Sequence, residues 1–139
     1  MSQKNNEFNL ELFFSALADR TRLRILNLMG EDEICVCFFV EVLETNQPKI
    51  SRHLAYLRRA GIVTTRKEGL WMHYRIKEPK TEDAARIWRD VRIYLSNDKE
   101  MQKDRKRLVK VCCADKLPTG VEGAPIPASL AKIQCEAKC

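Results

Sequence analysis

Apolar side chains recur at helical spacing from the start of the chain. Phe8, Leu10, Phe13, Phe14 and Leu17 predict a first amphipathic helix over 8–18. Asp19 is a natural N-cap for a second helix, with Leu23, Leu26 and Met29 on one face. Gly30 and the acidic run Glu31-Asp32-Glu33 close it. A third helix is expected over 34–44, with Ile34, Phe38, Val42 and Leu43 inward. Thr45-Asn46-Gln47-Pro48 breaks the pattern and restarts it, since proline is tolerated in a first turn. The fourth helix then runs to Ala60 with Ile50, Leu54 and Leu57 inward, and Gly61 ends it.

Beyond Gly61 the period falls from 3.6 to 2. Val63 and Thr65 precede a turn at Glu68-Gly69. Leu70, Met72, Tyr74 and Ile76 then alternate with Trp71, His73 and Arg75, which predicts a β-hairpin over 62–77. Pro79 stops it. Thr81 or Glu82 starts a fifth helix along Ala84, Ile87, Trp88, Val91, Tyr94 and Leu95. Residues 97–111 are dense in charge, with Met101, Leu108 and Val111 as apolar anchors, and read as a solvent-facing sixth helix or a prolongation of the fifth. From Leu117 to Ala128, three prolines and two glycines predict a loose tail.

This order predicts a mainly α fold with a β-hairpin wing, the winged helix-turn-helix. The 139 residues suit one core. Residues 1–96 are expected to form the DNA-binding domain. Residues 97–139 are expected to add a charged helix and a flexible tail containing cysteines. The net charge of +6 is concentrated: residues 47–77 hold eight basic side chains against one acidic. Such a patch is the footprint of a surface that neutralises phosphates. The fourth helix turns Gln47, Lys49, Ser51, Arg52, His53 and Tyr56 away from its apolar side. Its N-terminal half is where a helix-turn-helix meets base edges, which arginine and glutamine bind bidentately. The hairpin tip, with Arg66, Lys67 and Gly69, is placed to straddle the neighbouring backbone.

With 45% apolar and 32% charged residues, and no apolar run of about 18 residues, no membrane span is expected. The acidic N-terminal stretch does not look like a signal peptide, which points to the cytoplasm. Cysteines kept reduced there favour ligand or sensor chemistry over a disulfide framework; the chain has six.

The segments "LADRTRLRIL", "ICVCFF", "QPKISRHLAYLRRAGIV" and "RKEGLWMHYRI" together resemble the ArsR/SmtB family of metal-responsive repressors, particularly its arsenical-responsive branch. The resemblance covers about residues 10–95. It implies a homodimer through helices 8–18 and 82–96. It also implies a ligand-free dimer that binds an inverted-repeat operator in double-stranded DNA and lets go when metal binds. Arg20 stands where the family usually has proline. The fifth helix has no histidine, so the interfacial zinc site of other members is not expected.

The same resemblance bears on "ICVCFFVEVL". In this branch the third helix carries CxCxxC; Cys35 and Cys37 match the first two positions, and Val40 stands at the third. Soft thiolates suit arsenite or antimonite as inducer, with no organic cofactor implied. In a regular helix residues i and i+2 point to nearly opposite sides, so Cys35 and Cys37 reach one ion only if that turn unwinds. The missing sulfur is sought at Cys112 or Cys113, in "KVCCADK", or less readily at Cys135 or Cys139. Two other readings remain: a winged-helix repressor that senses oxidants by disulfide formation, and a small thiol reductase. The reductase fares worst, because no CxxC or phosphate-cradling glycine loop accompanies the cysteines.

Overall fold

The computed structural model describes residues 8–131, which form six α-helices, a three-stranded antiparallel sheet and a short 3-10 turn. Four of the six helices begin where a short polar side chain takes up a free backbone N–H. Asn9 caps α1 (Leu10–Leu17), accepting from the Leu12 N–H at 2.8 Å. Asp19 caps α2 (Arg20–Met29), accepting from the Arg22 N–H at 3.0 Å. Asn46 caps α4 (Gln47–Arg59) through the Lys49 N–H at 2.9 Å, with Pro48 in the first turn. Each such cap contributes about 1 kcal/mol. Between them lies α3 (Val36–Leu43), which ends at Glu44 in the left-handed conformation, so that α3 and α4 form the helix-turn-helix.

The hairpin consists of β2 (Val63–Glu68) and β3 (Trp71–Ile76), joined by the two residues Gly69 and Leu70. Gly69 has φ +58°, which a side chain would strain. A third strand, β1 (Ile34–Cys35), pairs with β3, so the order is β1-β3-β2 and β3 is central. The third helix therefore starts at Val36, two residues later than the periodicity predicts. Ile34 and Cys35 pair with Tyr74 and His73 of the sheet instead of extending the helix. Periodicity cannot separate these outcomes in a short apolar run.

Phe13, Ile25, Leu26, Met29, Phe38, Phe39, Ile50, Leu54, Leu57 and Trp88 are buried in one core, and Phe13 meets Trp88 edge-on with ring centroids 6.0 Å apart. Burial of each large apolar side chain contributes roughly 1.5–3 kcal/mol. α5 (Glu82–Ser96) closes this core with Trp88, and its Ala84 and Leu95 are also buried.

α6 (Lys99–Cys112) is a separate helix whose charged side faces solvent as expected, while its other side packs on the domain. Met101, Asp104, Leu108 and Cys112 are buried. Its acidic residues answer the arginines of α2. Arg24 grips Asp104 through two hydrogen bonds of 2.7 and 2.9 Å, and Arg20 reaches Asp98 and Glu100, each at 2.7 Å. Arg105 donates to the Leu28 carbonyl and Asn27 to the Met101 carbonyl, both at 2.9 Å. Between α6 and residue 131 the chain packs rather than trailing off. The 3-10 turn Thr119–Val121 lies on α3, Val121, Ala124 and Leu130 are buried, and Ser129 bonds to Asp32. No helix among the described residues is long and apolar enough to cross a membrane.

Candidate nucleic-acid interface and thiol pair

The outer face of α4 is a continuous exposed stripe. Gln47, Lys49, Ser51 and Arg52 are exposed near its N-terminal end, and Ala55, Arg58 and Arg59 extend the stripe toward the C-terminus. Ala55 leaves the middle of the stripe without a long side chain. The N-terminal end also carries the positive end of the helix dipole, which favours phosphates. The inward residues Ile50, Leu54 and Leu57 hold this helix against the core, so its outer face is presented rigidly.

Two of the expected contact residues on α4 face elsewhere. Tyr56 is half-buried: its hydroxyl lies 3.1 Å from Ser15 Oγ, and the Arg22 guanidinium stacks 4.1 Å above its ring. His53 is also half-buried, with Nδ1 4.0 Å from Asp19 Oδ1, and burial lowers its pKa, so the imidazole is neutral near pH 7. Both side chains join α4 to α1 and α2.

On the hairpin, Lys67 and Gly69 are exposed, and Leu70, at the tip, is 95% exposed. Arg66 is not at the tip but in β2, opposite His73. Its guanidinium is held by Glu33, with Nη2 2.6 Å and Nε 3.1 Å from the carboxylate, and Nη1 lies 3.3 Å from Glu68. This bond holds the Glu33 carboxyl below the usual range. Glu33 was legible in the sequence only as the end of an acidic run.

The two cysteines of the CxC are brought together. Cys35 is extended (φ −70°, ψ 143°) and lies just outside α3, while Cys37 is in its first turn. Their sulfurs are 3.3 Å apart, with the Cys37 thiol donating to Cys35. The unwinding that a shared ion requires is thus already present, imposed by the pairing of Cys35 with His73. The hydrogen bond from Cys37 is the main cause that holds the Cys35 thiol down at about 6 despite its burial. The same bond and burial raise Cys37. Of the two thiols, Cys35 is thus the more acidic.

Cys112 is fully buried near the end of α6, and burial pushes its thiol up to about 12. Cys113 follows as the half-buried C-cap. Among the described residues, no three histidine, cysteine or acidic side chains converge as a metal site. Cys135 and Cys139 lie outside the described residues. His73, which the periodicity left as an alternating hairpin residue, is 3% exposed, and its Nε2 has no hydrogen-bond partner.

Residues 19–65 match the family model described as bacterial regulatory protein, arsR family. Over 75 residues the chain is 43% identical to an uncharacterised HTH-type transcriptional regulator of Methanocaldococcus jannaschii, covering 53% of this chain and 84% of that one. The chain belongs to the arsR family.

Other relatives in the family carry more specific names. The arsenical resistance operon repressor of Escherichia coli K12 is 49% identical over 75 residues, which cover 53% of this chain and 64% of that one. An arsenic resistance transcriptional regulator of Pseudomonas putida is 52% identical over 66 residues, covering 47% and 52%. The chain thus spans between half and two thirds of the length of these two relatives. A cadmium resistance regulatory protein of Listeria innocua is 38% identical over 69 residues, covering 49% and 58%. Among solved structures, the homodimeric winged helix-turn-helix DNA-binding domain of Mb0332 from Mycobacterium bovis is similar with a TM-score of 0.52 and 30% identity, covering 65% of this chain and 81% of that one. The family and the winged helix-turn-helix expected from sequence both stand.

Proposed function

We propose that this arsR-family protein is a transcriptional repressor that leaves its operator when Cys35 and Cys37 capture a thiophilic metalloid, arsenite or antimonite. The observation that carries the reading is the contact of the two sulfurs, 3.3 Å apart, where a strand paired with the wing passes into α3. Relatives named for arsenical resistance support the inducer class. The protein acts as a cytoplasmic homodimer on an inverted repeat and catalyses no reaction. Residues 1–96 carry DNA binding and dimerisation, and 97–131 brace them.

Recognition falls to Gln47, Ser51 and Arg52 at base edges, with Lys49, Lys67 and the Gly69 backbone on phosphates. Arg66 joins them once released from Glu33. His53 and Tyr56 act from behind, setting the pitch of α4. The dimer forms through α1 and α5. Leu10, Phe14, Ile93 and Tyr94 support this, being large hydrophobic side chains exposed on those two helices.

Arsenite is a neutral trihydroxide. Each As–S bond replaces one As–O bond, and the hydroxide leaves as water with a proton from the thiol, or from solvent where the sulfur is already a thiolate. Cys35 and Cys37 supply two sulfurs, and Cys112 and Cys113 are the candidates for a third. Capture fixes the junction of β1 and α3, which changes how β3 holds the wing relative to α4. By reciprocity, DNA weakens inducer binding by the same factor.

The close sulfurs also favour a second reading, in which oxidation joins Cys35 to Cys37 and releases DNA. Operator binding of the reduced protein, titrated with arsenite, antimonite, cadmium and zinc under strong reductant, separates the two. Release by arsenite or antimonite supports the first reading. Release only after the reductant is withdrawn and an oxidant added supports the second.

A further inference from the structure

Glu33 lies two residues before Cys35 and holds the guanidinium of Arg66 at 2.6 Å. The sheet explains why these groups meet. Cys35 of β1 is opposite His73 of β3, and His73 is opposite Arg66 of β2, so one row of residues crosses all three strands. Cross-strand partners lie on the same face, which puts Cys35, His73 and Arg66 on one side of the sheet. Glu33 and Glu68 flank that row: Glu68 lies 3.3 Å from Arg66 Nη1 and 3.4 Å from His73 Nε2. Arg66 is a wing cation, yet here its fork is filled by carboxylate.

We propose that Glu33 is a brake on the wing. A guanidinium fork accepts a carboxylate or a phosphate in the same two-pronged geometry, and one bond pattern excludes the other. The Glu33 carboxylate therefore competes with the DNA backbone for Arg66. Because Glu33 is joined through Ile34 to Cys35, inducer capture at the thiol pair pins Glu33 where it meets Arg66 and tightens the brake. That second step rests on the inducer reading of Cys35 and Cys37; the competition itself does not.

The test uses full-length reduced protein and a labelled duplex that the wild type selects from a random library. Glu33→Gln should bind this duplex roughly two- to fivefold more tightly, the range of an exposed ion pair. Its salt dependence should steepen by about one, as one more cation reaches phosphate. Arg66→Ala should abolish the gain, so that Glu33→Gln/Arg66→Ala behaves as Arg66→Ala alone. Glu31→Gln, an equal charge change at a carboxylate without contact to Arg66, should leave affinity unchanged. Arsenite should enlarge the gain from Glu33→Gln, with arsenite uptake by the variant equal to wild type. Unchanged or weaker binding by Glu33→Gln, or an equal gain from Glu31→Gln, overturns the brake. An equal gain with and without arsenite overturns its link to the thiols. If arsenite fails to release the wild type, the inducer reading fails, while the competition for Arg66 is still judged by the arms without arsenite.

Discussion

Cys35 and His73 face each other across the pairing of β1 with β3, so the thiol pair and the wing share one sheet. The backbone of Cys35 is committed to that sheet while Cys37 is committed to α3. Their sulfurs meet at 3.3 Å because the chain changes from strand to helix between them.

The pair should titrate as a unit. Cys35 is lowered to about 6, so one thiolate forms as pH rises through that value, well below the ordinary thiol range. The difference in thiolate absorbance near 240 nm between wild type and Cys35→Ala should show a midpoint near 6. Cys37→Ala removes the donor that stabilises the anion and should move the midpoint upward. A midpoint in the ordinary range for wild type would mean that the sulfurs do not share a proton.

Loss of either cysteine should blunt release. Cys35→Ser or Cys37→Ser should keep ligand-free operator affinity and shift the arsenite midpoint at least tenfold upward. Cys112→Ser/Cys113→Ser should shift it less if a tail sulfur completes the site. Counting sulfurs around bound arsenic by X-ray absorption separates two-sulfur from three-sulfur coordination. An unchanged count and midpoint in the double variant would remove Cys112 and Cys113 from the site.

On DNA, two classes of loss are expected. Arg52→Ala should weaken the selected sequence by about 1–3 kcal/mol and relax one base preference. Lys67→Ala should weaken all sequences alike and flatten the salt dependence by about one. If both variants bind as wild type, the exposed face of α4 and the wing are not the interface.

For assembly, the exposed apolar residues are the ones to change. Ile93→Asp or Phe14→Asp should lower the dimer fraction and operator affinity together while leaving the melting temperature of the subunit near wild type. Leu95→Asp, at a position 4% exposed within the subunit, should unfold the protein instead. Light scattering and thermal melts distinguish these outcomes.

α6 should prove structural. Leu108→Ala removes a fully buried side chain and should cost about 2–5 kcal/mol. Asp104→Ala strips Arg24 of its two hydrogen bonds and should cost about 1–3 kcal/mol. Denaturant melts followed by tryptophan fluorescence, with Trp88 in the core, report both. Wild-type stability in the two variants would mean that α6 does not brace the core.

Helix order, caps and the hairpin were legible in the sequence because they rest on local chemistry. Asp19 meets a backbone N–H three residues on, Gly69 supplies the positive φ of a tight turn, and the Ile50, Leu54 and Leu57 stripe needs only helical spacing. The density of lysine and arginine over 47–77 announced the basic face in the same way. What the tertiary structure decided were long-range matters. Ile34 and Cys35 leave the helical pattern because strand partners nearly forty residues away satisfy their backbone. Asp104 turns inward because Arg24 waits on α2, so one side of a charged helix is buried while the other faces solvent. Arg66 meets Glu33 only because β3 sets the register between them. Local spacing reports a residue's own element, whereas pairings between distant segments depend on the energy of the assembled fold.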